Sequence, residues 1–229
     1  MVAVVHICVS SAGYDMDRRG EQMTKYSQHE IEKYLDKQFS SPGFFLEIGA
    51  WDGELISQTA WLEREKGWTG LCVDPFPVHF GKRTCRVCAK AVSKDGAPRA
   101  FIKVTIDRSN GGDVSYFSGF KDTIQTHWPM IAESCNYEEM EVGTITIAQL
   151  YEKYSLPQHI EFLSVDTEGS ELEILQSMDF SKHSFGLIVF EHNENLCVKN
   201  GVGEILQGHG YQLLDSLRCD DIYVRKDLK

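Results

Sequence analysis

The chain alternates between short, continuously apolar runs and amphipathic stretches. Phe44-Phe45-Leu46-Glu47-Ile48 is the first clear run, closed by Gly49-Ala50-Trp51-Asp52-Gly53. Gly70-Leu71-Cys72-Val73-Asp74-Pro75 is a second, ending on an acid and stopped by proline. Residues 160–166 and 185–190 repeat the pattern, the latter followed by Glu191-His192-Asn193. Runs of this length without polar alternation predict strands buried on both faces. Ile31, Tyr34, Leu35 and Phe39 recur at helical spacing after a start at Ser27–Glu30, and Pro42-Gly43 ends that helix. A second helix is expected from the Gly53 turn to about Lys66, with Gly67 as its C-terminal cap. Leu172, Ile174 and Leu175 predict a third helix between Ser170 and Met178.

Strands separated by helices in this way predict a mostly parallel sheet covered on both faces. Tyr211–Leu214 and Ile222–Arg225 instead form two short strands with a brief polar link, an expected antiparallel hairpin. Residues 105–143 are rich in Gly, Ser and aromatics and show weak periodicity. They read as a long loop, either a functional lid or a poorly ordered segment. The apolar start, residues 1–9, has no basic residue before it, so a strand suits it better than a signal peptide. Residues 10–24 are polar and read as a loop or linker.

With 229 residues, the chain has room for one elaborated domain. Apolar residues at 42% and charged residues at 25% exclude a disordered or fibrous chain. A formal charge of -11 repels polyphosphate, so neither nucleic acid nor an anionic membrane is an expected partner. No run approaches the eighteen or so apolar residues of a membrane helix. Seven scattered cysteines suit free thiols in a reducing compartment, hence a cytoplasmic setting. Cys85-Arg86-Val87-Cys88 has no matching second pair and reads as free thiols rather than zinc ligands.

In a parallel sheet, ligands bind beyond the carboxyl ends of the strands. Glu47, Gly49, Asp52 and Asp74 stand there. Asp74 is placed to accept hydrogen bonds from a ribose diol, while the glycines could equally serve only to turn the chain. The turn does not match the dinucleotide pattern G-x-G-x-x-G, because Trp51 replaces the second glycine and Gly53 falls one place late. Acids at Glu47 and Asp52 are poor neighbours for phosphates. A cationic nucleoside without phosphate, S-adenosylmethionine (SAM), meets these constraints.

Ser27-Gln28, residues 44–77 (FFLEIGAWDGELISQTAWLEREKGWTGLCVDPFP) and residues 162–175 (FLSVDTEGSELEIL) together resemble the FkbM family of SAM-dependent methyltransferases. Residues 115–119 and 220–225 also resemble family patterns. The resemblance covers residues 25–229 and leaves residues 1–24 as an N-terminal strand and linker. It implies an α/β class I methyltransferase (Rossmann-like) fold with a mostly parallel seven-stranded sheet and a C-terminal antiparallel hairpin. It further implies O-methylation of a sugar, glycan or secondary-metabolite hydroxyl. Carried over by position, Glu47, Gly49 and Asp52 border the methionine part of SAM, and Asp74 holds the ribose. Pro75, Phe76 and Ala91 lie near the adenine. The match also places Gln28 and Ser118 in the pocket, where turn or capping roles serve as well.

The expected reaction is in-line transfer from a sulfonium to a hydroxyl, which needs a positioned oxygen and a proton acceptor. Asp166 and Glu168 leave one strand, and Glu191 and His192 the next, so all four are candidates at one crevice. His192 is the expected general base, since an imidazole of ordinary pKa, about 6.5, is largely neutral at pH 7. A structural hydrogen bond is the competing role for His192, and a helix N-terminal charge for Glu168. Asp166, Glu191 and Asn193 could instead hold a divalent metal ion, the less favoured mechanism. Trp61, Trp68, Leu55 and Leu62 read as core. Trp128, Phe117 and Phe120 either stack on a sugar face or cover the core. The rival functions are a SAM- or glycan-binding module without catalysis and a nucleotide-dependent oxidoreductase.

Overall fold

The computed structural model describes residues 15–16, 22–23, 27 and 30–227. The expected strand over residues 1–9 and the site residue Gln28 lie outside the described residues. The first helix, α1 (Glu32–Gln38), begins where the sequence suggested. Ser27 donates from its N–H and Oγ to the Glu32 carboxylate at 2.8 and 2.6 Å, and its Oγ accepts from the Ile31 N–H at 2.9 Å. This side-chain exchange satisfies donors that a helix start leaves open.

β1 (Phe44–Ile48), α2 (Ala60–Lys66), β2 (Thr69–Val73) and β3 (Arg86–Cys88) make the first half of the sheet. Next come β4 (Ala91–Val92), β5 (Arg99–Asp107), β6 (Gly119–Phe120), α3 (Trp128–Ser134), β7 (Cys135–Val142), β8 (Thr144–Ile145) and α4 (Ile147–Tyr154). The second half holds β9 (His159–Val165), α5 (Glu171–Gln176), β10 (Ser184–Glu191), α6 (Leu196–Gly208), β11 (Tyr211–Leu217) and β12 (Asp220–Arg225). Seven strands lie in the order β11-β12-β10-β9-β1-β2-β3. β3, β2, β1, β9 and β10 run parallel, while β12 is antiparallel to both β10 and β11, as the C-terminal hairpin requires.

Neighbours along β1 point to opposite layers, which explains the missing polar alternation. Phe45 packs with Ile31, Leu35, Leu62 and Trp68 on one face. Leu46 and Ile48 pack with Leu163, Ile174, Leu175 and Phe190 on the other. Among the described residues no helix is long and apolar enough to cross a membrane.

Two expectations change. The second helix covers only Ala60–Lys66, with Gly67 as its left-handed cap (φ 69°), and residues 51–59 form a loop. Trp51 (φ 45°) and Ile56 (φ 52°) are left-handed, and Asp52 Oδ1 accepts from the N–H groups of Glu54 and Leu55. These local bonds displace a helix from the segment. Residues 105–143 are not a long loop. β5, β6 and β7 form a three-stranded antiparallel sheet in the order β6-β5-β7, over a small core of Ile102, Val104, Phe117, Ile124, Ile131 and Cys135. β7 is mostly exposed on both sides, with Glu138, Glu139 and Glu141 along it, so it carries no clear apolar period.

Cys72, Cys85, Cys88, Cys135 and Cys197 are free thiols. Cys219 is disulfide-bonded, an exception among the described cysteines and not a disulfide framework.

Candidate active site

A cavity of about 440 Å³ opens beyond the carboxyl ends of β1, β2, β9 and β10 and is walled on one side by the inserted sheet. Its geometry begins at Gly49, which has a φ of 85°. A Cβ there would stand 1.6 Å from the Asp166 carbonyl oxygen, so only glycine allows β1 and β9 to turn side by side. Two N–H bonds fix the turn: Gly49 donates to Val73 O at 2.8 Å and Asp166 to Ile48 O at 2.9 Å.

Trp51 ties the first turn to its neighbours. Its backbone N–H donates to Asp74 Oδ2 at 2.9 Å, and its Nε1–H donates to Ser115 Oγ at 2.8 Å. The indole meets Tyr116 edge-on, 5.3 Å between ring centres. Asp74 also accepts from the Phe76 N–H at 2.7 Å. Burial pushes the Asp74 carboxyl up to about 6, against the pull of these two N–H donors.

Glu47 is 3% exposed and acts as an anchor. It accepts from Ser57 Oγ, the Gln58 N–H at 2.8 Å, Thr59 Oγ1 at 2.6 Å and the Cys72 thiol at 3.3 Å. Arg83 stands behind this set, donating to Thr59 Oγ1 at 2.8 Å and to Glu63 at 3.1 Å. Glu47 therefore reaches the cavity wall, but its carboxylate serves chiefly to hold the loop at residues 57–59.

Asp166, Glu168 and Glu191 gather at the other end, with one carboxylate oxygen from each within 4.8 Å of the others. Burial and mutual repulsion push Glu168 and Glu191 well above the usual carboxylate range, and burial raises Asp166 to about 7. Asn193 donates from Nδ2 to Glu191 at 2.5 Å and to Glu168 at 3.3 Å. His127 Nδ1 lies 3.5 Å from Glu168 Oε2, and burial lowers its pKa. Glu168, Asn193 and Glu194 all have left-handed backbones, a local strain frequent at functional sites. Three hard oxygen donors could hold a divalent cation. The set is Asp166, Glu168 and Glu191, not the expected Asp166, Glu191 and Asn193, because the Asn193 amide nitrogen is turned toward the two glutamates.

Glu47, Gly49, Asp74, Pro75, Ala91, Ser118, Asp166, Glu168, Glu191 and Asn193 all line this one cavity. Ser118 lines it with its hydroxyl already in use, donating to Ser115 O at 2.6 Å and accepting from the Val104 N–H at 3.0 Å. Two expected residues do not reach the cavity. Asp52 is buried behind the first turn, where it caps the Glu54 and Leu55 N–H groups. His192 lies one residue past the end of β10, buried, and does not line the cavity as Glu191 and Asn193 do. Its Nδ1 accepts from the Glu194 N–H at 3.1 Å, and its Nε2 faces Asp221 Oδ1 at 3.5 Å. Of the two roles expected for His192, general base and structural hydrogen bond, this placement matches the second.

The sequence reading missed Gln58, Lys90, Phe101, Lys103 and His127, all on the cavity wall. It also placed Leu55 in the core, whereas Leu55 is 63% exposed at the cavity's edge with Ile56 and Val78. Phe117 and Phe120 line the cavity and are buried, while Trp128 is outside it and packs on Tyr137. His127 gave no signal, because only the inserted sheet carries it to Glu168.

Comparison with curated proteins finds no match. Among solved structures, the chain is similar to a precorrin-6y C5,15-methyltransferase from Geobacter metallireducens GS-15. The two share 13% identity over 96% of this chain and 98% of that one, with a TM-score of 0.43, a likeness too loose to argue from. The family model described as the methyltransferase FkbM domain matches residues 47–213, well over half of the chain and all of the strand ends that open onto the cavity. The sheet order, with its antiparallel last hairpin, is that of the class I methyltransferase fold. The protein is a methyltransferase of the FkbM family.

Proposed function

We propose that the protein transfers the methyl group of SAM to a hydroxyl of a sugar or glycan, through a single catalytic domain over residues 25–229. The observation that carries this reading is the pairing of two chemistries in one cavity: a carboxylate suited to a ribose diol, Asp74, and a buried trio of acids, Asp166, Glu168 and Glu191. Six acidic side chains line the cavity (Glu47, Asp74, Asp113, Asp166, Glu168, Glu191) against two lysines (Lys90, Lys103), a wall poor in the positive charge that a phosphate-bearing cofactor needs. Phe76, Phe101, Phe120 and Ala91 offer apolar surface for a purine. The volume is in the range of cofactor pockets.

In this reading the acceptor oxygen sits between the sulfonium methyl and the acid trio. The sulfur–carbon bond breaks as the oxygen–carbon bond forms, and the hydroxyl proton passes to a carboxylate. A carboxylate whose conjugate acid has a pKa of about 7, as at Asp166, is a far better base than an ordinary one. Glu168, held by Asn193 and beside His127, and Glu191 shape the acceptor's place. A divalent cation on Asp166, Glu168 and Glu191 would supply Lewis acidity toward the same hydroxyl; the carboxylate base is the favoured route.

Exposed Leu55, Ile56 and Val78 at the cavity edge favour a second reading, a hydroxyl on a less polar secondary metabolite. Incubation with methyl-labelled SAM and a panel of glycosides and hydroxylated metabolites tests both. Label on a glycoside supports the first reading, and label only on non-sugar hydroxyls supports the second. Tight SAM binding with no transfer to any acceptor would indicate a binding module.

A further inference from the structure

We infer that Gln58 receives the ammonium group at the amino-acid end of the cofactor. The inference rests on the proposed use of SAM and adds a residue to it. Gln58 is 8% exposed and lines the cavity, yet its side-chain oxygen Oε1 is buried without a hydrogen-bond partner. A buried acceptor left unmade costs about 1–3 kcal/mol, so such groups in folded proteins usually await a ligand or water.

The surroundings identify the missing donor as cationic. The Gln58 N–H donates to Glu47 Oε1 at 2.8 Å, which sets the residue directly over a buried carboxylate. Ser57 and Thr59, on either side, are bound to the same carboxylate, so the loop is rigid on both flanks of Gln58. Glu47 and Gln58 both line the cavity, so a ligand donor that reaches Gln58 Oε1 also approaches the Glu47 carboxylate and its field. An alkylammonium supplies strong N–H donors and the positive charge this field favours. A ribose hydroxyl or the adenine amino group can donate a hydrogen bond but carries no positive charge. The cavity that Gln58 lines is the space from which such a donor comes, and the acid trio further along it leaves this end for the cofactor's amino acid.

The test compares two ligands that share the nucleoside and differ in the amino acid. Calorimetry would measure S-adenosylhomocysteine and 5′-methylthioadenosine, both thioethers, of which only the first carries the amino-acid end, against the wild type, Gln58→Ala and Gln58→Leu. The backbone bond to Glu47 is kept in both variants, and methylthioadenosine affinity reports that the cavity is intact. The expected result is a loss of about tenfold or more for S-adenosylhomocysteine in both variants, the scale of one hydrogen bond to a charged group, with methylthioadenosine unchanged. Equal losses for both ligands, or no loss for either, would overturn the inference while leaving SAM as the cofactor. A wild type that binds neither ligand would overturn the cofactor reading and this inference together.

Discussion

Gly49 and the carbonyl of Asp166 approach so closely that residue 49 has no room for a side chain: a Cβ would lie 1.6 Å from the oxygen. The contact joins the turn after β1 to the strand end that carries the acid trio, so the two ends of the cavity share one backbone junction. Gly49→Ala meets both the clash and a φ of 85°, which L-residues rarely adopt. The variant is expected to lose on the order of 4 kcal/mol or more. Chemical denaturation would check this, and a loss below about 1 kcal/mol would show that the junction yields easily.

Asp74→Ala is expected to weaken SAM by about tenfold or more, since it removes a charged acceptor for the ribose hydroxyls. The Asp74 carboxyl, raised to about 6 by burial, is ionised above that pH and neutral below it. SAM affinity in the wild type should therefore fall as the pH drops below about 6. Titrations at several pH values read both effects. A folded variant with wild-type affinity would remove Asp74 from the site.

Asp166 links stability to catalysis with opposite signs. Its carboxyl rises from 3.8 to about 7 on folding, chiefly through burial. Between those values the folded protein keeps a proton that the unfolded chain has lost, so this group's stabilising contribution falls as the pH rises through the window. Turnover should rise through about pH 7 as the base ionises. Asp166→Asn should flatten the stability slope and cut turnover by about 10²–10⁴-fold, with SAM affinity little changed. Melting curves and rate profiles across the same pH range check both, and an unaltered rate profile in the variant would move the base elsewhere.

His192→Ala should act on stability. The ring is buried, accepts from the Glu194 N–H and faces Asp221, whose carboxylate also takes Lys199 Nζ at 3.1 Å. Its loss is expected to cost about 1–3 kcal/mol and to leave turnover per folded molecule near wild type. A folded variant with turnover reduced a hundredfold would restore His192 as a catalytic group.

Metal dependence is separable from these effects. With the acid trio acting as base and acceptor clamp, EDTA should leave turnover intact. Loss of activity that magnesium or manganese restores would assign Asp166, Glu168 and Glu191 to a metal instead.

The sheet was legible because its strands are buried on both faces: Phe44–Ile48 and Phe185–Phe190 carry apolar side chains in both directions, and their ends bear the acids. The resemblance rested on residues 44–77 and 162–175, which hold Gly49, Asp74 and Asp166, and these three line the cavity. The loop at residues 51–59 was not legible, since its shape follows from Glu47 gathering Ser57, Gln58 and Thr59, a contact between distant turns. The inserted sheet was hidden because β7 is exposed and glutamate-rich, and with it went His127 and Lys103. His192 shows the limit of reading by adjacency: it directly follows Glu191, yet its ring turns to the Glu194 N–H and Asp221 and not to the cavity.

The central claim, that this cavity is where SAM is used, is tested most directly by a crystal structure with the demethylated product, S-adenosylhomocysteine. The predicted result has both ribose hydroxyls about 2.6–3.2 Å from the Asp74 carboxylate. The adenine should lie against Phe76 and Ala91, and the sulfur should face Asp166 and Glu191. A nucleoside bound outside this cavity, or bound within it with Asp74 far from the ribose, would contradict the account.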